Sequence, residues 1–186
     1  FPPLEAFQTS GGTSTLPETF LGRIRELDYK TIRYAGHCEK FRTMIKLGLC
    51  SSEEITANFQ KVVPRKVFGE LLTQHLPADQ PDYVLVRLEF AGTRASLPAS
   101  SQSGKTCRVR YDIIDRYDPA TGMSAMMRTT AFPASIIAQM MVRGDVLMRG
   151  ATPQEKAIDS DKFLAELDSR NIKIDVSEPQ AGSDHQ

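Results

Sequence analysis

No stretch of this chain is apolar for long enough to cross a bilayer. The longest such run, around IIAQMMV, falls far short of the ~20 residues a spanning helix takes. No charge of one sign prevails: lysine plus arginine number 23 and aspartate plus glutamate 23, so the basic excess of an electrostatic nucleic-acid binder is missing. Neither a membrane nor a nucleic acid is an expected partner. Cysteine is scarce and scattered. Cys38, Cys50 and Cys107 form no C-x-x-C pair, and reduced thiols of a cytoplasmic protein are the reading they support. His37, His75 and His185 are as dispersed, so no local spacing suggests a metal site and none is expected. G-x-G-x-x-G occurs nowhere, which excludes the usual dinucleotide-binding turn. The opening FPPLEAFQ does not read as a secretory leader. It lacks an initiator Met and reaches a strand-like run within four residues, so a segment of a longer protein is expected.

What is present is a globular composition, 40% hydrophobic and 25% charged over 186 residues, sufficient for one domain with a core. LEAFQ alternates as a short strand, TSGGTS reads as a loop, and TLPETFLGRI as a helical turn or two with Pro17 in the first. In DYKTIRY, alternation sets Tyr29, Thr31 and Arg33 on one face and Lys30, Ile32 and Tyr34 on the other. From Gly36 the period becomes helical, with Phe41, Met44 and Ile45 in phase and Gly48 as a stop. Ser51 and Glu54 have capping-box spacing for a further short helix, and Pro64 opens another whose Val67, Leu71 and Leu72 form a stripe.

Residues 82–94 and 106–118 alternate as two strands joined by an exposed loop, ASLPASSQSGK. DPATG is a turn. RTTAFPASIIAQMMVRG predicts a helix capped by Thr130 and ended at Gly144. DSDKFLAELDSRN predicts one with Phe163, Leu164 and Leu167 inward and Asn171 at its end; IKIDV reads as a final strand, and residues 177–186 as a disordered tail. The order predicts an α+β fold: a mixed, largely antiparallel sheet with helices packed on one face.

Two stretches carry candidate chemistry. The Gly-Gly loop reads either as a plain flexible loop or as backbone that comes close to a ligand, with Thr9, Ser10, Thr13 and Ser14 supplying hydroxyls. In TIRYAGHCEKFR a strand ends on Arg-Tyr and turns into a helix at Gly36. Free N–H groups at such a start attract an anion, Arg33 can grip a carboxylate bidentately, Tyr34 can hydrogen-bond, and His37 lies in the first turn. The competing reading is a solvated face, with Arg33 paired to Glu39 and His37 exposed. RTTAFP repeats the arrangement more weakly, and the methionine cluster reads as adaptable core or subunit interface.

TSGGTSTLPET, LDYKTIRYAGHCEKFRTMIKLGL, YDIIDRYDPATGMSAMMRTTAFPASIIAQMM and FLAELDSRNIKI together resemble the C-terminal catalytic domain of the saccharopine dehydrogenase and lysine-6-dehydrogenase family. The resemblance runs in order from about residue 4 to 176, with Ala35 where the family pattern has Pro and with a longer loop at ASLPASSQSGK. It implies a two-domain oxidoreductase of lysine metabolism, with residues 1–176 as its C-terminal domain. An N-terminal Rossmann domain outside this chain would hold NAD or NADP. This chain would supply substrate binding and homodimerisation, and would be inactive alone. The implied reaction is hydride transfer from a C–N carbon of an amino acid, saccharopine or lysine-like, giving an imine that water hydrolyses. By motif, Thr31, Arg33 and Tyr34 match the family's substrate-binding strand end, and Thr9, Ser10, Gly11 and Gly12 match the loop near the nicotinamide. His37 joins these candidates from its place in the first helical turn. The alternative is a non-catalytic ligand-binding or oligomerisation domain of the same fold.

Overall fold

The computed structural model describes residues 1–9, 11–77, 80–93 and 106–178. The chain divides into two compact units, Phe1–Gln80 and Pro81–Gln186. In the first, β1 (Leu4–Phe7) and β2 (Thr31–Tyr34) pair antiparallel, with Leu4 opposite Tyr34 and Phe7 opposite Thr31. Between them lies α1 (Leu16–Phe20), with Pro17 in its first turn, where the missing N–H leaves no bond unmade. α2 (His37–Lys46) follows β2 across a sharp reversal at Gly36, whose φ of 87° a side chain would strain. It ends at Gly48, where the N–H of Leu49 bonds back to the Met44 carbonyl.

The Ser51–Glu54 spacing does not open a helix. The Ser51 hydroxyl accepts from the Glu53 N–H, and the chain enters a hairpin of β3 (Ile55–Ala57) and β4 (Gln60–Val62). Its turn residues Asn58 and Phe59 take φ of 48° and 65°, the left-handed pair whose twist suits a two-residue hairpin. Ile55, Thr56 and Val62 are β-branched, and Glu54 reaches Lys61 at 2.8 Å instead of returning to Ser51. α3 (Pro64–His75) starts on its proline, but Val67 and Leu71 of its stripe stay exposed. No described residue of this unit is fully buried.

The second unit has a true core. β5 (Tyr83–Thr93) and β6 (Thr106–Arg116) pair residue for residue from Tyr83–Arg116 to Thr93–Thr106. The turn after β6 closes on Asp118, whose carboxylate accepts from the Thr121 hydroxyl and the Ala120 N–H. α4 (Ala125–Arg143) then runs to Gly144. Thr130 is not its cap. Ser124 accepts from the Met127 N–H at 3.0 Å, and the Asp82 carboxylate takes the Ala125 and Met126 N–H groups at 2.6 and 2.9 Å, so the helix opens earlier than expected. Thr130 and Pro133 are consequently interior. An interior proline costs about 3 kcal/mol, which the burial of Ala125, Arg128, Ile136 and Met140 along one stripe offsets.

α5 (Gln154–Ala157) is a single turn, and α6 (Ser160–Ser169) is capped by Asp159. Ile136, Met140, Leu167 and Ile172 form the core, with Ile113 of β6, Phe132, Phe163 and Ile174 against it. Leu164, expected inward, is exposed, because the α6 stripe is narrow and runs through Phe163 and Leu167. Ile172 and Ile174 enter the core, so pairing of the last strand, β7 (Asp175–Ser177), begins later than IKIDV suggests.

The fold is α+β as expected. All strand pairs among the described residues are antiparallel, in sheets β1–β2, β3–β4 and β5–β6–β7. Helices α4 and α6 pack on the Ile113 face of the third sheet. The loop expected at 95–105 and most of the expected tail lie outside the described residues. Among the described residues, no helix is long and apolar enough to cross a membrane.

Candidate functional site

Strand alternation sorts the candidates. On the β1–β2 pair, Glu5 and Phe7 share a face with Thr31 and Arg33, while Leu4 and Ala6 share the other with Ile32 and Tyr34. On the first face the hydroxyl oxygens of Thr9 and Thr31 lie 2.7 Å apart, a hydrogen bond that joins the glycine loop to the first residue of β2. Arg33 stands beside them, exposed. Its Nη1 donates to the Ile32 carbonyl at 2.7 Å, and none of the described ion pairs includes it, so the pairing with Glu39 is not made. Tyr34 is adjacent in sequence but points to the opposite face. The structure thus joins Thr9, Thr31 and Arg33 and sets Tyr34 apart from them.

In the loop, Ser10 lies outside the described residues. Gly11 turns at φ 86°. Gly12 has a different role: a Cβ there would fall 2.0 Å from Cε1 of Tyr29, so its bare Cα makes room for the tyrosine ring. Asp28, next to that tyrosine, is bonded by Lys30 at 2.7 Å and by Gln8 at 3.3 Å, and these partners hold its carboxyl below the usual range. Loop and strand are therefore tied together at three neighbouring points.

The helix start is also occupied from within. Glu5 Oε1 accepts the backbone N–H of Cys38 at 2.6 Å. That bond, with smaller contributions from the Gly36 and His37 amides and the His37 charge, holds the Glu5 carboxyl below its ordinary value. The anion expected at the first turn of α2 is the protein's own. His37 is half-buried rather than exposed, stacked between Phe7 at 6.1 Å and Phe41 at 4.6 Å between ring centroids. Glu5 went unnoticed in the sequence because its role depends on which strand β1 pairs with. Its alternation with Leu4 and Ala6 was the available signal.

RTTAFP proves to be architecture. Arg128, only 7% exposed, donates to Asp115 at 3.0 and 3.3 Å and to the carbonyls of Arg170 and Asn171 at 3.4 and 3.3 Å. Its guanidinium also lies 5.5 Å from the Phe132 ring centroid. Among the described residues, no group of three or more His, Cys, Asp or Glu side chains is placed to hold a metal, and Cys38, Cys50 and Cys107 are unpaired. The one Gly-Gly loop lacks the fingerprint spacing, and the approach over Gly12 is taken by Tyr29.

These features describe an α+β domain, outside the doubly wound class, with a hydroxyl-and-arginine face at a strand end. Residues 1–172 match the family model of the saccharopine dehydrogenase C-terminal domain, and the chain belongs to that family. The family is one of dehydrogenases, which sets the chain in an oxidoreductase context.

Proposed function

We propose that this chain is the substrate-binding and dimerisation domain of an NAD(P)-dependent oxidoreductase acting on the C–N bond of an amino acid, saccharopine or lysine-like. The observation that carries the reading is the Thr9–Thr31–Arg33 face, where an exposed guanidinium that pairs with no acid among the described residues adjoins two bonded hydroxyls. Such a fork matches a carboxylate, and hydroxyls can hold the carboxylate or orient an ammonium. NAD or NADP and its hydride chemistry belong to a Rossmann domain of the same protein, outside this chain. Thr31 and Arg33 hold the amino acid by its carboxylate, while Gly11 and Gly12 shape the loop beside it. Tyr34 and His37 take supporting places, one on the reverse of β2 and one in the aromatic stack behind Glu5. Homodimerisation draws support from Leu88, Phe90 and Val176, exposed apolar residues of the third sheet on the Ile113 face.

A second reading, a non-catalytic ligand-binding or oligomerisation domain, takes its support from Glu5, which already satisfies the helix start. The two separate on one comparison in the full-length protein, turnover of the amino acid against its carboxamide. A charge-assisted bond is worth ~1.5–3 kcal/mol, so the carboxamide should lose about tenfold to hundredfold in kcat/KM. Equal turnover would place the carboxylate elsewhere, and no turnover of either would favour the second reading.

A further inference from the structure

Strand β5 is the outer strand of the order β5–β6–β7, and it is undisguised as an edge. Its eleven positions pair one for one with β6, so no bulge interrupts it, and it contains no proline or lysine. Among the described residues no second strand lies along its outer side. A long, uninterrupted edge of this kind invites another strand.

The sequence of the edge specifies which one. Along residues 84–92, Arg87 and Glu89 lie on the polar face, one on each side of Leu88 in sequence, and each already pairs across to β6, Arg87 with Asp112 and Glu89 with Arg110, both at 2.7 Å. On the other face Val86 and Phe90 flank Leu88 in the same way. An antiparallel copy of the strand centred on Leu88 therefore sets Arg87 opposite the partner's Glu89 and Val86 opposite the partner's Phe90. The polar row then reads Asp112, Arg87, the partner's Glu89, the partner's Arg110, with the charge alternating at each step across the junction. Centring on Arg87 or on Glu89 would bring like charges face to face, which is destabilising. The edge is complementary to itself in one register.

We propose that two copies of this chain join through β5, antiparallel and centred on Leu88, so that β5–β6–β7 continues into the same sheet of the second copy. Such a contact is isologous and closes on itself. The proposal rests on the dimerisation role above and names its surface. Leu88, 48% exposed, would then lie directly against its counterpart.

The test uses the full chain with Cys38, Cys50 and Cys107 changed to Ser. In this register, Leu88→Cys places two thiols at roughly 4.5–5.5 Å between Cα atoms, within disulfide reach. Val86→Cys sets its two thiols roughly 13 Å apart along the strand, out of reach. Mild oxidation should convert the dimer fraction of Leu88→Cys to a covalent dimer and leave Val86→Cys unlinked. In the unmodified background Leu88→Lys should raise the dimer dissociation constant at least tenfold by sedimentation, with Tm unchanged at concentrations where both proteins are monomeric. A wild-type dimer in which Leu88→Cys stays unlinked, or Val86→Cys links equally well, overturns the β5 contact while leaving dimerisation standing. A wild-type chain that stays monomeric at every concentration removes both.

Discussion

Glu5, on β1, caps a helix that begins beyond the next strand: its Oε1 accepts the Cys38 N–H at 2.6 Å. The two residues are 33 positions apart in sequence, so the bond fixes both the β1–β2 pairing and the angle at which α2 leaves β2. It also ties the face that carries Arg33 to a titratable group.

The pH consequence has a definite sign. The folded Glu5 carboxyl titrates below its ordinary 4.5, so the unfolded chain binds the proton first. The stabilisation is complete above 4.5 and is lost as pH falls through the lowered folded value. Acidification should therefore lower the protection factor of the Cys38 amide, its exchange measured against the unprotected rate at the same pH, in that window. Glu5→Gln, which keeps an oxygen acceptor without the charge, should flatten this contribution. A Glu5 side chain that titrates by NMR at its ordinary value would contradict the cap.

Gly12 and Tyr29 make a second coupled pair. Gly12→Ala drives a methyl into the ring, and overpacking of this kind costs roughly 1–3 kcal/mol. Removing the ring as well, in Gly12→Ala with Tyr29→Ala, should recover most of the loss beyond that of Tyr29→Ala alone. A double-mutant cycle on urea unfolding measures the coupling, and simple additivity would mean that the ring moves aside freely.

Arg128 and Asp115, each 7% exposed, should behave as a buried pair. Arg128→Met leaves the Asp115 carboxylate uncompensated and should destabilise by about 3–5 kcal/mol, whereas Arg128→Met with Asp115→Leu should recover only part of this, because the Arg170 and Asn171 carbonyls still lack their donor. Chemical denaturation of the three variants decides the matter. A single variant as stable as the parent would show that water already reaches Asp115.

The elements legible in the sequence were those whose signal is local. Alternation in residues 82–94 and 106–118 gave the long hairpin. Gly48 and Gly144 ended their helices, and Pro17 and Pro64 stood in first turns. Three misreadings share a cause, competition from partners outside the motif that was read. Thr130 lost the cap of α4 to Ser124 and Asp82, and the helix start at His37 was filled by Glu5. Leu164 was left outside by a core formed around Leu167 and Ile172. Ser51 differs, since a two-residue turn at Asn58 and Phe59 overrode its capping box from close by. Within the candidate site, alternation already separated Arg33 from Tyr34. The Thr9–Thr31 bond required knowing that the loop folds back onto β2.

The central claim is that Arg33 holds a substrate carboxylate, and Arg33→Lys in the full-length protein tests it most directly. Lysine keeps the charge but lacks the planar fork that forms two parallel bonds. Because Arg33 is exposed and, among the described residues, bonded to the Ile32 carbonyl alone, the substitution should leave Tm nearly unchanged. It should raise KM and lower kcat/KM about tenfold to hundredfold, as the loss of a bond worth ~1.5–3 kcal/mol requires. A fall in Tm with KM unmoved would make Arg33 a structural residue and contradict the account.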